Sequence, residues 1–144
     1  MTGPDRRDFL LQAAAAAGAL ELLPDWTLAS PPRLPEPLAV GLIGAGRQGR
    51  AILAELQKLP DVRVAAVCDV SPSRLAAGLR RAQGAEGCAE ARALLDRREI
   101  GAVFVATPSH LHREPAVAAL QAGKHVYCEG PLATTLEDCR ALAA

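Results

Sequence analysis

Leu38-Ala39-Val40-Gly41-Leu42-Ile43-Gly44-Ala45-Gly46-Arg47-Gln48-Gly49 is the stretch that decides the fold. Its first six residues form a nearly unbroken apolar run, as expected of a strand covered on both faces. The run passes directly into a G-x-G-x-x-G pattern. Ile52, Leu53, Leu56 and Leu59 then recur at helical spacing, and Pro60 stops the helix. A second apolar run, Val62-Arg63-Val64-Ala65-Ala66-Val67-Cys68, ends in Asp69, twenty residues after Gly49. The glycine pattern alone occurs by chance. Strand, glycine loop, helix, strand and terminal acid in register define a mononucleotide-binding half of a doubly wound sheet.

Each member of the pattern has a physical task. Gly44 allows the tight turn, Gly46 lets a pyrophosphate approach the backbone, and Gly49 lets helix and strand pack closely. The loop residues Ala45, Arg47 and Gln48 lead into a helix N-terminus, whose free N–H groups and positive dipole end suit phosphate. Asp69 is placed to accept hydrogen bonds from the hydroxyls of an adenosine ribose. That favours NAD, because a carboxylate repels a 2′-phosphate. Arg74, close behind Ser71 and Ser73, could pair with such a phosphate, so NADP stays possible. An acid after the second strand also occurs in S-adenosylmethionine-dependent methyltransferases, and that reading stays open on these residues alone.

Downstream, the pattern predicts a helix over residues 72–83 with Ser71 as its N-cap. A second helix is expected over 90–98, a strand over 100–106, a helix over 110–122 closed by Gly123, and a strand over 125–128. Thr134 or Thr135 caps a last helix, inside which the sequence stops at Ala144. The fold class is α/β, a Rossmann-type doubly wound parallel sheet, incomplete at the C-terminus.

Upstream, residues 1–29 read differently. Arg6-Arg7 precede an apolar stretch from Phe9 to Leu23, and Thr27-Leu28-Ala29 supplies small residues at a possible cleavage point. The order resembles a twin-arginine (Tat) signal. It implies export by the Tat machinery to a periplasmic or other extracytoplasmic location. Residues 30–37, rich in proline, read as a stiff linker, and residues 38–144 as the nucleotide-binding domain.

Composition excludes other classes. The 144 residues carry 16 basic and 16 acidic side chains, half are hydrophobic, and 22% are charged. This balance argues against a nucleic-acid surface. Only Lys58 and Lys124 supply ammonium groups. Cys68, Cys88, Cys128 and Cys139 show no metal-ligand spacing. In strand order 3-2-1-4-5, Cys68 and Cys128 end strands about 14 Å apart, beyond the roughly 7 Å that a disulfide spans between Cα atoms. All four are expected as packed or free thiols.

The glycine loop, Asp69, Ala106-Thr107-Pro108, His112, Gly123-Lys124-His125-Val126 and Glu129-Gly130-Pro131 together resemble the N-terminal domain of the glucose–fructose oxidoreductase / inositol dehydrogenase (Gfo/Idh/MocA) family. The resemblance covers about residue 39 to the end. It implies a bound NAD(H) or NADP(H) acting on sugars or other polyols. It also implies that Thr107, Pro108 and His112 lie beside the cofactor and Glu129 near the nicotinamide. Some members of the family carry twin-arginine signals. Two departures limit what transfers. The family reads Glu-Lys-Pro where this chain has Glu129-Gly130-Pro131, so the ammonium that stabilises charge on a substrate oxygen is missing. Lys124 lies about 13 Å away along the chain. The family's substrate domain, which carries its acid–base residues, is absent from this sequence. No catalytic residue is therefore assigned, and the chain is expected to bind dinucleotide with little or no turnover. The rivals are a non-catalytic dinucleotide-binding module and an NAD-dependent glycosidase of the same family type.

Overall fold

The computed structural model describes residues 36–143; the expected signal segment and most of the linker lie outside them. Five strands are present: β1 (Leu38–Ile43), β2 (Val62–Cys68), β3 (Glu86–Cys88), β4 (Ala102–Val105) and β5 (His125–Cys128). All pair in parallel in the order β3-β2-β1-β4-β5. The helices are α1 (Arg47–Leu56), α2 (Pro72–Leu79), α3 (Ala91–Leu95), α4 (Arg113–Gln121) and α5 (Leu136–Ala143). The order reverses between β1 and β4, so a crevice opens where the loops after those two strands diverge.

Alternation along β1 divides the core between the two sheet faces. Val40 and Leu42 join Leu53, Leu56, Val64 and Val67 against α1 and α2. Ala39 and Ile43 join Leu94, Leu95, Ile100, Val103 and Ala116 against α3 and α4. Gly41 faces this second layer, and a Cβ there would lie 2.6 Å from Leu94 Cδ2, so the absent side chain is what lets Leu94 pack on the strand. Ile100 is buried in the same layer. Ile100→Val removes one buried methylene and is expected to lower stability by about 1 kcal/mol, read as a shifted urea midpoint at unchanged slope.

Element types match expectation, while several boundaries do not. The helix expected over 72–83 ends at Leu79; the chain then tightens into turns, with the Ala82 N–H bonding the Gly78 and Leu79 carbonyls before Gly84 at φ +84°. Ser71 occupies the N-cap but makes no side-chain cap bond, its hydroxyl lying 3.0 Å from that of Ser73. The helix expected over 90–98 shrinks to α3, after which the chain turns, with Arg97 N–H bonding Leu94 O and Ile100 N–H bonding Arg97 O, both at 3.3 Å. The helix expected over 110–122 is divided into a 3-10 turn, Ser109–Leu111, and α4. Pro115 has no N–H to bond the Leu111 carbonyl and sits as the third residue of α4, within the first turn where a proline is tolerated.

The strand expected over 100–106 is regular only in β4. Its flanks stay bonded to β1, with Gly101 N–H donating to Ala39 O at 2.9 Å and Ala106 N–H to Ile43 O at 2.8 Å. β3, three residues beside β2, has no counterpart in the apolar pattern. The last helix is capped as expected, since Thr135 Oγ1 accepts the Asp138 N–H at 3.1 Å.

Cys68 and Cys128 are separated by β1 and β4 in the sheet, and all four thiols are free. Burial, with Cys88 alongside on β3, pushes the Cys68 thiol up to about 12. A thiol held so far from its thiolate is a packing group and not a nucleophile.

Candidate functional site

Residues 44–49, 69, 107–108 and 129 all follow the C-terminal ends of parallel strands, so the topology brings them to one edge of the sheet. The loop after β1 is the fixed point. Gly44 adopts φ +98°, and a Cβ there would fall 2.6 Å from the Ala106 carbonyl carbon and 2.8 Å from the Thr107 nitrogen. Only glycine lets the β1 and β4 loops lie against one another in this way.

Asp69 organises the other side. Its side chain is 6% exposed. Oδ2 accepts the Ala45 N–H at 2.8 Å, and Oδ1 accepts the Ser71 N–H at 2.8 Å. The Arg74 Nε–H donates to both oxygens, at 3.1 and 3.3 Å. The carboxylate thus ties the glycine loop, the end of β2 and the start of α2 together, in addition to any role toward a ribose. Arg74, expected from the sequence as a possible partner for a 2′-phosphate, bonds Asp69 in this structure.

The start of α1 is built to receive an anion. Gly46, its N-cap, makes no side-chain cap bond, and the first backbone bond of the helix runs from Arg50 N–H to Gly46 O at 3.0 Å. The N–H groups of the first turn therefore have no intrahelical acceptor. A Cβ at Gly46 would meet nothing within 4 Å, so the space over these amides is open. Arg47 and Gln48 are exposed at its rim, whereas Ala45 is fully buried. The Arg50 guanidinium donates to Ala45 O at 2.8 Å. Arg50 is a site residue that the glycine pattern did not single out, although its position directly after Gly49 is a usable signal.

Thr107, in the loop after β4, lies at the same edge of the sheet, its nitrogen against Gly44. Its Oγ1 is buried and has no hydrogen-bond partner among the described residues. A buried hydroxyl without a partner costs about 1–3 kcal/mol, and a cofactor amide or phosphate oxygen would satisfy it. Open amides at α1, space at Gly46 and an orphaned hydroxyl at Thr107 all fit a dinucleotide. Thr107→Val is expected to leave stability unchanged or raise it by up to about 1 kcal/mol. The same variant should weaken NADH binding several-fold, as read by thermal denaturation and fluorescence titration of one preparation.

His112 is 1% exposed. Its Nε2 lies 2.8 Å from Thr107 O and its Nδ1 3.0 Å from Pro131 O, so the ring pins the β4 loop to the β5 loop. Both neighbours are carbonyl acceptors, and which ring nitrogen donates depends on the tautomer. His112 therefore supports the site from beneath. Pro108 is exposed at the mouth, and His110 lies on the surface. Glu129 extends the β4–β5 ladder through its N–H to Val105 O at 3.0 Å, and its carboxylate accepts the Tyr127 hydroxyl at 3.4 Å. Beside it, Gly130 is exposed, and a Cβ there would meet nothing within 4 Å.

Neither lysine reaches this edge. Lys124 Nζ donates to Arg97 O at 2.8 Å, beyond the opposite ends of the strands, and Lys58 pairs with Glu55 at 2.7 Å. No group of metal-ligating side chains occurs among the described residues, and no helix among them is long and apolar enough to cross a membrane.

Sheet order, glycine loop and acid after β2 define a dinucleotide-binding Rossmann domain. Residues 38–144 match the Gfo/Idh/MocA model, described as an oxidoreductase family with an NAD-binding Rossmann fold, and the chain belongs to that family. A solved levoglucosan dehydrogenase in complex with NADH superposes with TM-score 0.69 at 35% identity, covering 74% of this chain and 31% of its own. The 3-ketoreductase KijD10 of Actinomadura kijaniata, solved with NADP and TDP-benzene, gives TM-score 0.69 at 34% identity over 75% of this chain and 33% of its own. A glycosyl hydrolase family 109 protein of Shewanella amazonensis is 32% identical over 96% of this chain and 36% of its own length. The chain spans about a third of the length of the curated relatives it matches. The levoglucosan dehydrogenase structure holds NADH and the KijD10 structure NADP, at folds of the NAD-binding Rossmann type that the family model describes.

Proposed function

We propose that this chain is the cofactor-binding part of an exported oxidoreductase that acts on a sugar- or polyol-like substrate by hydride transfer, and that the chain by itself turns over little or no substrate. The observation that carries the reading is the open helix N-terminus of α1 held against Asp69 through Ala45. In the proposed complex the first-turn amides hold the pyrophosphate, Asp69 the adenosine ribose, and Thr107 Oγ1 a group of the nicotinamide half. The dinucleotide supplies the hydride chemistry, and the protein supplies orientation and electrostatics. Gly130 supports the second half of the proposal, because neither lysine puts an ammonium at the strand tips to stabilise an alkoxide. Titrating the full chain with NADH and following cofactor fluorescence tests it. Saturable binding with no reduced cofactor formed from sugars or inositols is the expected result; no binding up to millimolar NADH overturns it.

Export rests on Arg6, Arg7 and the apolar stretch that follows. A folded reporter fused behind residues 1–29 should leave the cytoplasm, and Arg6→Lys with Arg7→Lys should stop it. A reporter that stays inside with both arginines present overturns this part.

A second reading, an NAD-dependent glycosidase, is favoured by one observation. The glycosyl hydrolase relative aligns along 96% of the chain, against 73% for a levoglucosan dehydrogenase relative. Its sign is cleavage of a nitrophenyl glycoside in the presence of NAD without net NADH.

A further inference from the structure

Cys68 closes β2, Cys88 closes β3, and the two are register partners in the parallel ladder. Adjacent strands run about 4.8 Å apart, inside the roughly 4.4–6.8 Å that a disulfide spans between Cα atoms. Both side chains stand on the same face of the sheet. Cys68 belongs to the core layer of Leu94, Leu95 and Val103, and Cys88 packs against that layer. The Cys88 thiol lies 3.8 Å from Val67 O, so it leans back over β2 toward the Val67–Cys68 peptide. The strand geometry that excludes Cys128 as a partner of Cys68 therefore admits Cys88.

The two thiols differ in access. Cys68 is buried, whereas Cys88 is half-buried on an edge strand between the exposed Gly87 and Ala89. Burial raises the Cys88 thiol above its ordinary range, while a hydrogen bond with Cys68 and the nearby Arg97 guanidinium pull the other way. No third metal-ligating side chain joins the pair among the described residues, so its chemistry is that of two sulfurs alone. We propose that Cys68 and Cys88 form a disulfide by exchange with a low-molecular-weight disulfide, and that this bond staples the end of β2 to β3. The Cys88 thiolate attacks the small disulfide, whose S–S bond breaks as a mixed disulfide forms on Cys88. The first small thiol leaves with the proton that Cys88 lost. The Cys68 sulfur then attacks the Cys88 sulfur, and the second small thiol leaves with the Cys68 proton. Two protein thiols are thus oxidised by two electrons, and one small disulfide is reduced to two thiols. Cys68 is inert toward reagents in solvent and enters only at the second step, held against a Cys88 that no longer carries a charge to oppose its ionisation. The staple lies beside Asp69, which follows Cys68 in the chain and whose N–H donates to Cys88 O at 3.2 Å.

The test treats the full native chain with 2-hydroxyethyl disulfide, blocks remaining thiols with iodoacetamide, and digests with trypsin without reduction. Cleavage after Arg63, Arg74, Arg81 and Arg92 releases residues 64–74 and 82–92, each with one cysteine. These two peptides are expected to be joined, two hydrogen masses below their sum, and to separate in dithiothreitol. The exposed Cys139 is expected to carry the small thiol, which shows that the reagent has acted. In Cys68→Ser, Cys88 is expected to keep the small thiol as a mixed disulfide; in Cys88→Ser, Cys68 is expected to stay free. The oxidised parent chain is expected to unfold at a higher urea midpoint than the reduced chain, a shift absent from both variants. A modified Cys139 without the joined pair overturns the inference, as does a pair that joins only when the reagent is added in urea. Direct modification of Cys68 in Cys88→Ser overturns the order of attack, and a joined pair with an unchanged midpoint overturns the staple. None of these readouts involves the cofactor, so a failure to bind NADH would leave the inference standing.

Discussion

Asp69→Asn is expected to abolish measurable NADH binding, an effect of about 100-fold or more, and to lower stability by about 3 kcal/mol. The reason lies in how many donors converge on one buried carboxylate. Ala45 N–H and Ser71 N–H each take a different oxygen, and the Arg74 Nε–H lies near both. An asparagine amide offers one oxygen, so its NH₂ must face one of these donors. A buried N–H loses its acceptor and Arg74 loses its counter-charge. Hydrogen bonds to a charged group contribute about 1.5–3 kcal/mol each, so the folding penalty alone should exceed that of Ile100→Val. The binding penalty is separate: a glycine loop no longer tied to β2 lets the α1 amides drift, and the ribose loses its acceptor. Guanidinium denaturation and NADH titration of the same variant separate the two. Near-normal NADH affinity in Asp69→Asn would show that Asp69 serves the fold alone.

The structural task of Asp69, bonding Ala45, Ser71 and Arg74, marks the limit of what the sequence made legible. The spacing from Gly49 to Asp69 located the acid correctly and gave it a ribose as its partner, because pattern reasoning assigns one task per residue. The bonds to Ala45 and Ser71 depend on loop conformations that no periodicity encodes. The regular elements were legible wherever burial imposes a period: β1 and β2 carry nearly continuous apolar runs, and α1 an apolar stripe at helical spacing. β3 was not, since Glu86-Gly87-Cys88 pairs with β2 through its backbone while its side chains follow no alternation. The helix ends after Leu79 and Leu95 are marked by turn bonds invisible to propensity.

His112 illustrates the opposite case. Its type and position drew attention to chemistry, and the structure uses it to join two loops through their carbonyls.

Gly49 and Gly46 belong to one motif, yet their alanine variants are expected to fail in different ways. A Cβ at Gly49 would run into the Gly44 carbonyl oxygen, with the carbonyl carbon at 3.0 Å and Leu42 Cδ2 at 3.2 Å. The obstacle is backbone, already fixed by the contact of Gly44 with Ala106 and Thr107, so it has nowhere to move. Gly49→Ala must therefore push α1 off β1 and open the core around Leu42 and Leu53. Its expected cost is about 3 kcal/mol or more, at the upper end for overpacking. Gly46→Ala meets nothing within 4 Å and has φ −63°, where alanine is unstrained, so stability should stay within about 0.5 kcal/mol of the parent chain. Its methyl group would instead occupy the opening over the first-turn amides of α1, and NADH affinity should fall at least about tenfold. Two alanines three residues apart thus separate the glycine that the fold requires from the one that the ligand requires. Equal thermal shifts for the two variants would contradict the packing argument. Full NADH affinity in Gly46→Ala would move the pyrophosphate elsewhere and take the proposed cofactor pose with it.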